Sequence, residues 1–188
     1  SGAAVNQTTT SSGAAVNQVR TDDGTTPLYV AAGKGHTEVA SLLIKSGAEV
    51  NLARMDDGAT PLFIAAWKGH SKVARLLISS GAAVNQATTK NGARRRTMVL
   101  PLFMTPLFVA AQKGHTEVVG LLIGGCAAVN QVTTENGRTP LFVAAQKGHT
   151  EVVSLLIGGS AAINQATTDG GFTPLYVAAQ NGYIEVVR

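Results

Sequence analysis

Apolar and polar positions follow one phrase that recurs along the chain. After Thr139 and Pro140 comes a short apolar run, Leu141 to Ala145, and then Gln146, Lys147 and Gly148. A second apolar run, Val152 to Ile157, is closed by Gly158 and Gly159, and a polar stretch from Asn164 to Gly171 follows. Thr139 suits a helix N-cap, where its hydroxyl accepts an orphan N–H, and Pro140 suits the first turn, where its missing N–H costs nothing. Leu141, Ala144 and Ala145 give this helix an apolar side of small residues, and Gly148 ends it. Thr150 is placed to cap a second helix, with Glu151 in the first turn, where the helix dipole favours an anion. The second helix is apolar around most of its girth, and the Asp169-Gly170 pair predicts a tight turn after it. Helices of ~8 residues are too short to be stable alone. Their apolar faces must be covered by a neighbour.

The neighbour is another copy of the same phrase. Thr-Pro-Leu begins at Thr26, Thr60, Thr105, Thr139 and Thr173, with spacings of 34, 45, 34 and 34 residues. A second phrase, Ala-x-Val/Ile-Asn, ends in step with it at Asn17, Asn51, Asn85, Asn130 and Asn164. Units that bury their faces only against their neighbours make a one-dimensional solenoid. The register predicts first helices beginning near Pro27, Pro61, Pro106, Pro140 and Pro174, with almost no regular sheet. It divides a single array, residues 1–188, into modules at about 24–57, 58–91, 103–136, 137–170 and 171–188, after a partial repeat over 1–23. The phrase SGAAVNQ at Ser1 and the stop at Arg188 inside a second helix are expected of a fragment of a longer array, monomeric as a fragment.

Four stretches carry a family likeness: TPLYVAAGKGHTEVASLLIKSGAEVN, TPLFIAAWKGHSKVARLLISSGAAVN, TPLFVAAQKGHTEVVGLLIGGCAAVN and TPLFVAAQKGHTEVVSLLIGGSAAIN. They resemble ankyrin repeats, whose signature is Thr-Pro-Leu-His-x-Ala at a period of about 33 residues. The resemblance covers nearly all of the chain after Ala14. It implies an all-α solenoid of stacked antiparallel helix pairs with projecting hairpin-like fingers. It also implies a non-catalytic protein-interaction module that binds through the first helices and the fingers, which together form a concave face. Two features depart from the family. Tyr29, Phe63, Phe108, Phe142 and Tyr176 stand where the motif has histidine, and the period is one residue longer.

Composition narrows the function further. Hydrophobic residues at 45% and charged residues at 14% exclude a strongly disordered chain. The lone Cys126 excludes an internal disulfide framework and favours a reducing, cytoplasmic compartment. The apolar runs fall well short of the ~20 residues a membrane span needs, so no membrane partner is expected. The net charge is +4, but Arg94, Arg95 and Arg96 supply three of those charges within one anomalous segment. The rest is nearly neutral, which argues against nucleic acid as a partner.

That segment, Ala93 to Met104, reads ARRRTMVLPLFM. It is either a functional insertion or an out-of-frame remnant of repeat DNA. Thr97 to Met104 can be encoded so that a frame two bases on spells Asp-Gly-Ala-Thr-Pro-Leu-Tyr, a near relative of the visible phrases from Asp22 and Asp56. An irregular excursion that leaves the stack in register is expected, because lengthening a finger costs only ~0.7 kcal/mol of loop entropy.

Candidate chemistry is sparse. His36, His70, His115 and His149 recur once per module, which sets neighbours ~10 Å apart by the spacing of packed helices. That is too far to share a metal ion, and Tyr183 holds the fifth place. They are expected to be structural. No base recurs with Cys126 to make it a nucleophile, and no carboxylate pair or phosphate loop is present, so no catalytic residue, metal or cofactor is expected. Asn51, Asn85, Asn130 and Asn164 are expected to bond the backbone that links modules. Partner contacts are expected at the variable positions before the Gly-His step: Lys34, Trp67 and Lys68, Gln112 and Lys113, Gln146 and Lys147, and Gln180 and Asn181. Arg54, Met55 and Arg138 in the fingers come next. The lysines would form a row of one positive charge per module, favouring an acidic or polar protein surface. A structural spacer, or a non-catalytic part of a larger protein, is the alternative. Modules three and four differ at only two of the 24 positions that start at Thr105 and Thr139, and so present the same side chains twice.

Overall fold

A computed structural model describes residues 15–88 and 103–188. The described residues form ten helices in five antiparallel pairs: α1 (Pro27–Lys34) and α2 (Thr37–Lys45), α3 (Pro61–Lys68) and α4 (Ser71–Ser79), α5 (Pro106–Lys113) and α6 (Thr116–Gly124), α7 (Pro140–Lys147) and α8 (Thr150–Gly158), and α9 (Pro174–Gln180) and α10 (Ile184–Val187). The first helices pack in the order α1, α3, α5, α7, α9, and the second helices form a parallel layer in the order α2, α4, α6, α8, α10. No strand runs through the described residues.

The first helices start where proline and threonine place them. The hydroxyls of Thr26, Thr60, Thr105, Thr139 and Thr173 each accept the backbone N–H three residues on, at 3.0–3.2 Å. The second helices begin differently from expectation. Thr150 is the first helical residue, and His149 occupies the cap position without capping through its side chain. The same holds for His36, His70 and His115. Where the structure pairs these rings, they turn away from their own helix, as described below.

The core lies between the two layers. Leu28, Leu62, Leu107 and Leu141 from the first helices, and Leu77, Leu122 and Leu156 from the second, are buried. Four of the aromatic side chains that replace the motif histidine, Tyr29, Phe63, Phe108 and Phe142, are buried as well, while Tyr176 in the fifth module is exposed. The Leu-Leu phrase of the second helices predicts that Leu42, Leu43, Leu76, Leu77, Leu121, Leu122, Leu155 and Leu156 are mostly buried, and this is corrected: only Leu77, Leu122 and Leu156 are. Leu76 and Leu121 are half-buried, and Leu42 is 65% exposed. Adjacent residues on a helix point about 100° apart, so only one of each pair can face the first-helix layer. The other is turned aside: Leu42 and Leu155 are exposed, whereas Leu76 and Leu121 pack only partly against the core.

The stack continues across the anomalous segment. Residues 89–102 lie outside the described residues, and with them most of the excursion expected over Ala93 to Met104. What is described is its closure. The N–H of Thr88 donates to the carbonyl of Met104 at 3.0 Å, and the Met104 N–H donates to the Thr88 hydroxyl at 3.2 Å. Thr133 with Arg138 (3.0 and 3.1 Å) and Thr167 with Phe172 (2.9 and 3.2 Å) make the same double link in the ordinary fingers. The separation in sequence is 16 residues in the first case and 5 in the others. Beyond the closure α5 packs on α3, and α6 on α4, as in the other modules.

Candidate partner-binding face

The ends of the first helices carry the candidate site, and their geometry starts from glycine. Gly35, Gly69, Gly114 and Gly148 close α1, α3, α5 and α7 in the left-handed conformation, with φ between 71° and 75°. They are also places of close approach. A Cβ on Gly69 would lie 2.6 Å from Nδ1 of His115, and one on Gly35 would lie 2.8 Å from Nδ1 of His70. Each histidine ring thus rests on the glycine of the preceding module. Its Nε2 reaches the carbonyl two residues before that glycine: His70 to Gly33 at 3.2 Å, His115 to Trp67 at 3.0 Å and His149 to Gln112 at 3.2 Å. A carbonyl only accepts, so these contacts hold the rings as Nε2–H donors. Tyr183 takes the same seat on Gly148.

A second set of links runs through asparagine. Oδ1 of Asn51, Asn85 and Asn130 accepts the N–H of Ala83, Ala128 and Ala162 at 2.7–2.8 Å, each in the following module. Nδ2 of the same residues donates to the carbonyls of Gly81, Cys126 and Ser160. Asn17 does the same to Glu49 and Gly47. Asn164 is exposed near Leu175 and Val187, and no such link is seen for it. The histidines and asparagines therefore fix one module against the next.

With those residues committed, the variable positions stand out. Lys34, Lys68, Lys113 and Lys147 are the last residues of α1, α3, α5 and α7 and all are exposed. Among the described residues none of them forms an ion pair. Trp67, 38% exposed, meets Phe63 edge-on at 5.9 Å between ring centroids, and the Lys113 ammonium sits 5.5 Å above its ring. Residues of modules two and three thus meet at one spot on this surface. Gln112 and Gln146 are half-buried. Gln180 ends α9, and Asn181 caps that helix, with Nδ2 turned back to the Val177 carbonyl at 2.8 Å. The row of charges stops there.

The finger candidates divide. Met55 is 67% exposed, and its N–H donates to the Asp23 carbonyl of the previous finger. Arg54 and Arg138 are engaged within the fingers. Arg54 pairs with Asp56 and Asp57, stacks 5.5 Å from the Tyr29 ring centroid and donates to the Tyr29 hydroxyl. Burial pushes the Asp57 carboxyl and the Tyr29 hydroxyl up from their ordinary values, against the opposing pull of Arg54. Arg138 stacks over Phe142 and pairs with Asp169 of the next finger at 3.6 Å. Aromatic residues at the motif-histidine place thus receive a finger arginine at Tyr29 and Phe142. The sequence signal for this was that aromatic substitution itself.

Helix pairs stacked in register, stitched by backbone-directed bonds and presenting a row of variable helix ends, define a repeat solenoid. The ankyrin repeat family model, three copies long, matches residues 2–88 and 107–188, and the chain belongs to that family. The match breaks where the anomalous segment stands. No curated protein sequence matches the chain. Arrays of this family are generally protein–protein interaction modules and are typically non-catalytic. Among the described residues no cluster of His, Cys, Asp or Glu has the arrangement to hold a metal ion, and no helix is long and apolar enough to cross a membrane.

Proposed function

We propose that this array binds a protein partner through the surface formed by the ends of its first helices and the adjoining fingers, and that it carries out no catalysis itself. The observation that carries this reading is the row of four exposed lysines, none in an ion pair among the described residues, with Trp67 among them. A partly exposed tryptophan is a good anchor in an interface, and a row of one sign favours an acidic or polar surface opposite. The single free cysteine fits an intracellular setting. The test is capture of partners from a lysate by the chain and by its Trp67→Ala/Lys68→Glu variant. Loss of a captured partner in the variant, with unchanged helicity, supports the reading. Undiminished capture refutes it and favours a spacer role, for which the near-identity of modules three and four is the supporting observation.

A further inference from the structure

We infer that the lysine row is a ruler for an acidic peptide in the polyproline II conformation carrying a carboxylate at every third residue. The inference rests on the proposed binding face and names the chemistry of its partner. Lys34, Lys68, Lys113 and Lys147 occupy the same position at the ends of α1, α3, α5 and α7, and these helices pack in one unbroken order. The insertion between α4 and α5 does not interrupt the row, because Thr88 and Met104 close its base and α5 still packs on α3. Packed helices stand about 10 Å apart. In a β-strand every third side chain points to the opposite face, whereas a polyproline II chain turns once every three residues and advances about 3.1 Å per residue, so every third side chain returns to one face about 9.3 Å on and matches one rung. Alternate residues would advance only about 7 Å and fall out of step after one rung.

Other polyanions fit less well. A helical peptide would meet this spacing only once in about seven residues, at 1.5 Å per residue. It would also want an apolar seam beside the charges. The residues preceding the four lysines are Gly33, Trp67, Gln112 and Gln146, which offer one apolar contact and no seam. A nucleic-acid backbone is bound by dense positive charge, often from arginine with its fork of donors. The row has one ammonium per module and no arginine. The fifth module has neutral Asn181 in the lysine's place, with its side chain turned onto its own helix, so the ruler has four marks.

The test compares two ten-residue peptides of identical composition and net charge. In one, four glutamates stand at positions 1, 4, 7 and 10, and in the other they stand at 1, 3, 5 and 7, with Ser and Gly elsewhere. Titration at low ionic strength against the full 188-residue chain should give at least about fivefold tighter binding of the first peptide, since exposed pairs are individually weak. That preference should vanish in the Lys34→Gln/Lys68→Gln/Lys113→Gln/Lys147→Gln variant, whose circular dichroism should be unchanged because all four side chains are exposed. A Lys→Glu version of the same four positions should in turn prefer a peptide with lysine at every third residue. Equal affinity for the two acidic peptides overturns the inference, as does a preference that survives in the Gln variant. So does tighter binding of a helical peptide with glutamate at every seventh residue, or of a ten-nucleotide single strand. If the two peptides tie while Trp67→Ala/Lys68→Glu still abolishes partner capture, the binding face stands and only the ruler falls. If capture persists in that variant, the proposed function falls whatever the peptides do.

Discussion

Gly69→Ala separates two roles that one glycine plays. The residue sits at φ 75°, where an L side chain pays about 1–2 kcal/mol. The new methyl would also lie 2.6 Å from Nδ1 and 2.7 Å from Cε1 of His115, so the ring must swing out. That breaks the 3.0 Å contact from Nε2 to the Trp67 carbonyl, a hydrogen bond worth about 1 kcal/mol. The single change should therefore cost about 2–3 kcal/mol in all. His115→Ala alone removes the same bond at a cost of about 1 kcal/mol. In the double variant the methyl meets no ring, and only the backbone cost is added to the lost bond. The total should again be about 2–3 kcal/mol, leaving a coupling of about 1 kcal/mol between the two sites.

The assay is equilibrium urea unfolding of the four species, followed by helicity and by tryptophan fluorescence. Trp67 is the sole tryptophan and its carbonyl is the acceptor in question, so its emission reports this junction directly. Gly182→Ala is the reference: its φ is 74°, but no atom lies within 4 Å of the added Cβ, so it should carry the backbone cost alone. Additivity of Gly69→Ala and His115→Ala within about 0.3 kcal/mol would refute the seating of the ring on the glycine.

Four further outcomes follow from the same contacts. Asn85→Ala removes the acceptor that holds the Ala128 N–H at 2.7 Å and should cost about 1–2 kcal/mol in urea unfolding, while Asn85→Asp, which keeps the acceptor, should cost less. Cys126 has φ 64° where the first two modules carry Gly47 and Gly81, so Cys126→Gly should stabilise by about 1 kcal/mol whereas Cys126→Ala should not. Deleting residues 93–103 shortens the closure at Thr88 and Met104 from a separation of 16 residues to the 5 of an ordinary finger; it should raise stability by about 1 kcal/mol through loop entropy, and a loss above about 2 kcal/mol would show that the segment packs as part of the stack. Hydrogen bonds from the Thr25 side chain and backbone hold the Asp23 carboxyl below its ordinary range. Its contribution is therefore present above the unfolded-state value and lost as pH falls through the lower folded one, so Asp23→Asn should flatten the acid limb of stability against pH, and a carboxyl titration at or above the ordinary midpoint would contradict it.

The fold was legible because its local signals and its period agree. Thr139 and Pro140 mark a helix start by chemistry that needs nothing beyond the next three residues, and the phrase then repeats. What the chain alone did not disclose came from partners far away in sequence. The carbonyl that His70 seeks is 37 residues upstream, and that of His115 is 48 upstream because the insertion intervenes. A reader of the sequence sees a histidine beside Thr116 and gives the cap to threonine; the stack gives the ring another module's backbone. The exposure of Leu42 escapes the sequence for a different reason. A helix apolar around its girth does not announce which side stays open, and only the single layer behind it decides. Arg54 and Arg138 read as free finger charges because Tyr29, Asp56 and Asp169, which engage them, are brought close only by the turn and by neighbouring fingers.

These links bear on what the surface can vary. The asparagines and histidines that fix module to module bond backbone atoms of the neighbour, whatever side chain that neighbour carries. His70, His115 and His149 rest on carbonyls belonging to Gly33, Trp67 and Gln112. A glycine, an indole and an amide thus stand in one structural place, with the stitch at 3.0–3.2 Å in every case. In the first four modules the motif histidine has given way to an aromatic ring buried in the core, Tyr29, Phe63, Phe108 or Phe142, so the inner polar link of the family signature is replaced there by packing. The polar bonds of the histidines and asparagines go to alignment between modules, and they leave the side chains at the ends of the first helices free to vary. That is the physical condition for a recognition surface: positions held at a fixed pitch whose identities the stack does not dictate. The lysines meet that condition four times, and Trp67 meets it once, where modules two and three meet beneath the Lys113 ammonium.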